Sequence, residues 1–178
     1  MFLIPFCVIA TQTAISLTRY TRVPSDQLIP PTALAFMGGF VAWLLVFFLL
    51  PRPVRTYVLA HELTHALWGS MMGAEIKSMK ISRESGSVTL SKTNFFITLA
   101  PYFFPLYTVI VIAGYYLLSV FYDVEKYSLV WLGLVGLTWG FHFTFTITTL
   151  MQRQSDIHSC GYLFSYAVIY LLNVIGIS

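Results

Sequence analysis

Charge is what this sequence has least of. Only 10% of its 178 residues are Asp, Glu, Lys or Arg, where a soluble domain carries about a quarter, and that shortage excludes a water-soluble globule. Cysteine is almost missing too. Cys7 and Cys160 lie in apolar surroundings, with no spacing suited to a disulfide framework or a thiolate metal site, and read as small apolar side chains. The net charge of +3 comes from basic residues scattered over short segments, not from the patch that nucleic acid requires, so no nucleic-acid partner is expected. Repeats and low-complexity tracts are absent, and the longest polar segment is residues 75–92.

What remains is 57% hydrophobic, and the question becomes how many apolar runs approach the roughly 20 residues that cross a bilayer as a helix. Charges, Pro and Gly punctuate five such runs, at residues 32–50, 54–73, 93–120, 128–150 and 157–177. A sixth, residues 2–18, is diluted by Gln12 and several hydroxyl residues but lacks the basic start and cleavage site of a signal peptide. The expectation is an all-α polytopic membrane protein of about six transmembrane helices, forming one membrane-embedded domain over residues 1–178. Within the polar segment, Ile81, Val88 and Leu90 flank the turn-like Glu84-Ser85-Gly86-Ser87, which predicts a short β-hairpin. Alternation of the spans puts Arg19, Arg22, Lys77, Lys80, Arg83, Lys92 and Arg153 on one side and Arg52, Arg55 and Lys126 on the other. The richer side, with the hairpin, is then cytoplasmic.

Between Arg55 and Glu75 the one formally charged residue is Glu62, and an acid in the bilayer costs about 3 kcal/mol on insertion scales. Its neighbours supply a reason for it to be there. His61 and His65 are four apart, so a helix presents both imidazoles on one face, able to hold one zinc ion with Glu62 beside it. Amide hydrolysis at neutral pH needs a nucleophile and a polarised carbonyl, which a zinc ion with its activated water supplies. Glu62 is the candidate general base and then proton donor to the leaving amine. The structural alternative is two histidines hydrogen-bonded to their neighbours.

A catalytic zinc commonly has three protein ligands. Asp156, which opens the last span, is the first candidate for the third; its alternative role is a helix N-cap. His142, about eight residues from the end of its span, matches the depth of His65, which lies about 12 Å in from Gly73 by helix rise, and is the second candidate. His158, two residues from Asp156, points to another face. Thr138, His142, Thr146 and Thr149 form one polar stripe, suited to interhelical hydrogen bonds or to a wet cavity wall. Pro101 and Pro105 should kink or break their span, freeing carbonyls that suit a cavity wall. Gly69 and Gly73 read as a close-packing pair, and the four Trp as interface anchors.

The His61-Glu62-Leu63-Thr64-His65 motif in an apolar helix, followed by Gly73-Ala74, a polar hairpin, further spans and an acidic residue at the edge of a late span, resembles the site-2 protease family of intramembrane zinc metalloproteases, as a compact, divergent member. The resemblance covers about residues 54–170. It implies a single zinc held by His61, His65 and Asp156, with Glu62 catalytic. It further implies cleavage in or near a transmembrane segment of another membrane protein, in a bacterial-type plasma membrane, with the active site toward the cytoplasm and the hairpin near the substrate. The family's aspartate commonly sits in Leu-Asp-Gly or Asn-Pro-Asp-Gly, whereas here the setting is Ser155-Asp156-Ile157, and the family's middle-helix Gly-Pro and Asn pattern is replaced by Leu99-Ala100-Pro101. A ZIP-like metal transporter is the main alternative, but such carriers repeat acidic and His ligands along neighbouring helices, and here Glu62 is the one acid well inside a span. A catalytically inactive relative that binds membrane partners is the other alternative, against which the intact Glu62 argues. Diiron chemistry with multiple histidine boxes needs more than the four histidines present.

Overall fold

Apolar helices, several of them bounded by prolines, and one β-hairpin make up the described residues. The computed structural model describes residues 3–20, 29–83 and 85–177, with the backbone alone at 17–20 and 177. Phe2, Arg22, Glu84 and the side chain of Arg19, which bear on the expectations above, lie outside the described residues. In chain order the elements are α1 (Leu3–Tyr20), α2 (Pro31–Leu49), α3 (Val54–Met71), β1 (Ile76–Ile81), β2 (Gly86–Leu90), α4 (Phe95–Phe103), α5 (Leu106–Ser119), α6 (Ser128–Leu150) after a 3-10 turn at Glu125–Tyr127, α7 (Ser155–Cys160) and α8 (Tyr162–Ile177).

α2 starts on Pro31, whose missing N–H costs nothing in a first turn. It stops at Leu50, which precedes Pro51 and is held extended. Among the described residues, α2 and the Glu125–Leu150 helix are long and apolar enough to cross a membrane, and α4 with α5 makes a third if that pair is one span. The pair is bent by 74°, because Pro101 and Pro105 each lack the N–H that would continue the helix and Phe104 is extended before Pro105. The break expected at these prolines is therefore present. The run expected at 157–177 is also broken, at Gly161, whose φ of +85° suits a residue without a Cβ. α1 and α8 pack together through Cys7 Sγ on the Ala167 carbonyl and Thr11 against Tyr170. Their apolar stretches, Leu3–Ser16 and Tyr162–Gly176, are shorter than a full span.

The packing of α2 on α6 overturns the alternating topology. Ala35 lies by Gly133, Phe36 by Gly136, Phe40 by Gly140, Trp43 donates to Thr144 Oγ1 at 2.9 Å, and Phe47 meets Phe145. Positions rise together, so the two helices are parallel and Leu49 and Leu150 share an end. Arg52 accordingly lines one cavity with Gln152 and Gln154, where alternation had separated it from that loop. Two crossings between α2 and α6 would make them antiparallel; a parallel pair needs an odd number. α5 runs back along α6, with Tyr107 on Phe141 and Tyr115 on Trp131. The hairpin, instead of leaving α3 behind, doubles back along it.

That hairpin pairs Met79 with Val88 and Ile81 with Gly86, with an irregularity between Ile76 and Ser78. Met79, Ile81, Val88 and Leu90 are its half-buried positions, a period of two within each strand. Leu90 covers Gly69, and Gly86 reaches Val58 and Glu62. Gly69 thus admits the hairpin rather than a helix, and Gly73, with φ +72°, forms the turn after α3. Two apolar clusters flank the region between: Trp43, Phe47, Phe141 and Phe145 on one side, and Leu99, Tyr102, Ile157, Val168 and Ile169 on the other.

Candidate metal centre

α3 is polar on its inner face and apolar on its outer one. Leu59, Leu63 and Leu67, four apart, are 37–40% exposed, whereas Glu62, Thr64 and His65 are buried at 9% or less. In water this arrangement exposes a leucine stripe; in lipid it satisfies both faces. The i, i+4 spacing turns His61 and His65 inward together, their rings 4.9 Å apart.

Asp156 meets them from α7. It sits in that helix's first turn, two residues past the N-cap Gln154, so its carboxylate is not spent on capping. Asp156 Oδ2 is 3.3 Å from His61 Nε2 and 3.5 Å from His65 Nε2, and the two Nε2 atoms are 3.3 Å apart. His65 Nδ1 is 2.8 Å from the Ile97 carbonyl oxygen, which can only accept, so Nδ1 carries the proton and Nε2 of the neutral ring is a bare lone pair. A carboxylate oxygen offers lone pairs as well. Such a triangle can hold a cation at its centre. A tetrahedral metal with bonds of about 2.0–2.1 Å sets its ligands about 3.3–3.4 Å apart, which the three edges match closely. Among the described residues, His61, His65 and Asp156 are the one His, Cys, Asp or Glu group able to hold a metal ion.

Each of these side chains has a second partner that fixes its orientation. The Tyr57 hydroxyl, one helical turn before His61, lies 3.2 Å from His61 Nδ1, and the Tyr57 ring stacks on Phe145 at 4.8 Å. Ile97 O holds His65. Tyr102 Oη donates to Asp156 Oδ2 at 3.0 Å, and Asn173 of α8 in turn donates to the Tyr102 carbonyl. Outer hydrogen bonds of this kind fix the ring tautomer and aim the ligand.

Glu62 is 7% exposed and stands where two cavities meet. One, of about 370 Å³, runs past Arg52, Tyr57, Ser85, Thr148, Thr149 and Gln152. The other, about 520 Å³, follows β2 and reaches His65, Asp156 and Ser159. His61, Glu62 and Gly86 border both. A Cβ on Gly86 would come within 2.8 Å of Glu62 Oε1 and of Val58, so the absence of a side chain there lets the hairpin close over the acid.

His142 does not join the three ligands. With His61, Thr64, Pro101 and Thr138 it lines a small neighbouring pocket between α3 and α6, and its Nε2 is buried with no hydrogen-bond partner among the described residues. His158 turns away, its ring edge-on to Tyr162. The threonine stripe of α6 divides: Thr138 borders the small pocket and Thr149 the cavity of about 370 Å³, a wall position in both cases. The contributions of Tyr57, Tyr102 and the Ile97 carbonyl were not singled out from sequence. The available signals were a Tyr one turn before His61 and a helical Pro four residues after Ile97. Comparison with protein-family models, curated proteins and solved structures gave no match.

Proposed function

We propose that this protein is an intramembrane zinc metalloprotease that hydrolyses peptide bonds in or near transmembrane segments of membrane-protein substrates. The observation that carries the proposal is the triangle of His61 Nε2, His65 Nε2 and Asp156 Oδ2 at 3.3–3.5 Å, with Glu62 next to His61 on α3 and bordering both adjoining cavities. Two nitrogens and one carboxylate oxygen are a zinc-type donor set. Bound there, zinc supplies Lewis-acid polarisation of the scissile carbonyl and a water ionised near neutral pH.

The chain's own residues do the rest. His61, His65 and Asp156 hold the ion, kept in register by Tyr57, the Ile97 carbonyl and Tyr102. Glu62 removes the proton from the attacking water and returns it to the leaving amine. The free edge of β2 borders the larger cavity and can pair with an unwound substrate strand, its main-chain groups taking the place of helix hydrogen bonds lost by the substrate. The leucine stripe of α3, together with the apolar helices around it, supports a reaction within a bilayer, in a chain of about six membrane-inserted helices. Arg52, Arg55 and Arg153 all flank the shared end of α2 and α6, so that end, and the metal centre near it, faces the cytoplasm. A transport pathway would string ligand groups across the membrane; the single ligand group among the described residues supports hydrolysis instead.

The test is metal analysis of purified protein beside Glu62→Gln, with a transmembrane substrate assayed in parallel. Stoichiometric zinc in both, with cleavage by the wild type alone, is expected. A metal-free wild type, or cleavage surviving Glu62→Gln, overturns the proposal, and zinc flux in proteoliposomes that vanishes with His61→Ala would favour transport.

A further inference from the structure

We infer that Pro101 is a positioning residue of the metal centre: lacking an N–H, it leaves the Ile97 carbonyl to the Nδ1–H of His65, and so aims the bare Nε2 of His65 at His61 and Asp156. The inference deepens the metalloprotease reading and rests on it for the role of the three ligands.

In an uninterrupted helix the carbonyl of residue 97 accepts the N–H of residue 101. α4 obeys that pattern on either side, Thr98 N–H donating to Asn94 O at 2.9 Å and Phe104 N–H to Ala100 O at 2.9 Å. At position 101, inside the helix, proline offers no donor, and its ring pushes the carbonyl four residues back out of line. The Ile97 oxygen is freed at the place where α4 faces α3, and it receives His65 Nδ1 at 2.8 Å, shorter than any edge of the ligand triangle. Ile97 and Pro101 are both buried, so water does not compete for the oxygen. An imidazole has one proton for its two nitrogens when neutral; fixing that proton on Nδ1 fixes the lone pair on Nε2, 3.3 Å from His61 Nε2.

Pro105 is the internal control. It caps α5 and sits at the same break, but the carbonyl four residues before it is that of Pro101 itself, which makes no hydrogen bond to His61, His65 or Asp156. Losing Pro105 alters the bend without supplying a rival donor to Ile97.

Nitrogen-15 NMR of metal-free protein labelled at histidine, with His65 assigned by its disappearance in His65→Gln, reads the tautomer directly. The wild type is expected with His65 protonated at Nδ1. Pro101→Ala is expected to mix the tautomers and, in chelator competition with zinc, to weaken metal retention by about tenfold, the low end for loss of an outer partner. Pro105→Ala should leave both readouts at wild type. An α-hydroxy acid at position 101, whose backbone ester also lacks an N–H, should restore the wild-type tautomer and retention. His65 protonated at Nε2 in the wild type overturns the inference, as does Pro101→Ala with unchanged tautomer and retention, or an ester that behaves like alanine. Should Pro101→Ala not fold, the wild-type tautomer decides. A wild type that takes up no zinc sinks the metalloprotease reading instead, while the tautomer still decides the role of Pro101.

Discussion

At the residue scale, Glu62 and Asp156 are both acids beside the same histidines, yet their surroundings separate their tasks. Asp156 is tied to His61, His65 and Tyr102, whereas Glu62 lies between two open cavities. Asp156→Ala removes one vertex of the triangle and should strip most of the zinc from purified protein, measured by elemental analysis. Glu62→Gln leaves the triangle intact and should retain zinc while lowering the cleavage rate by about 10²- to 10⁴-fold, the usual contribution of a general base. Tyr102→Phe deletes the hydroxyl that steadies Asp156, and a zinc affinity lower by about tenfold is expected in chelator competition. His142→Ala should leave the zinc content unchanged, because that ring lines a neighbouring pocket and is not among the three grouped ligand side chains. The His61-Glu62-His65 trio was legible in the sequence, since spacing along one helix is a local property. Between Asp156 and His142 the sequence left the third ligand open. Depth along a span does not say which way a ring points, and only the folded chain brings Asp156, in the first turn of α7, against α3.

At the scale of elements, two close approaches are held by missing side chains. Gly39 and Gly136 let the α2 and α6 backbones touch: a Cβ at Gly39 would overlap the Gly133 carbonyl, and one at Gly136 the Phe36 carbonyl. Gly39→Val or Gly136→Val should therefore destabilise the helix pair by about 1–3 kcal/mol, read as a lower unfolding midpoint in detergent. Gly86→Val acts differently, since it prises β2 away from Glu62 and Val58; cleavage should fall with zinc content and unfolding midpoint nearly intact. The hairpin itself was predictable from alternation and turn residues. Its course along α3 was not, because the packing of Leu90 onto Gly69 joins residues from separate elements and leaves no periodic trace in either.

At the scale of the whole molecule, the parallel arrangement of α2 and α6 determines which loops meet. Single cysteines at Arg52→Cys and Arg153→Cys, in a background with Cys7 and Cys160 replaced, should react with a membrane-impermeant maleimide from one side of the membrane, and Lys126→Cys from the other. Labelling of Arg52→Cys and Arg153→Cys from opposite sides would restore the alternating topology. The candidate metal centre links α3 to α7 across 95 residues of chain, so chelation should lower the thermal midpoint of the wild type and leave that of His61→Ala nearly unmoved.

The sequence by itself determined the apolar helices and the local trio: little charge, apolar runs bounded by proline and glycine, and two histidines on one helical face with a glutamate beside them. These are local properties, encoded in composition and in spacings of a few residues. Tertiary structure alone decided that Asp156 closes the triangle while His142 lines a neighbouring pocket. It alone decided that the hairpin folds back over Glu62 and that α2 and α6 run the same way. Each depends on where a helix breaks and which backbones can touch, at Gly161, at Pro101 and Pro105, and at Gly39 and Gly136. The path of the chain beyond such a break is set by the surfaces it meets rather than by the residues that make it.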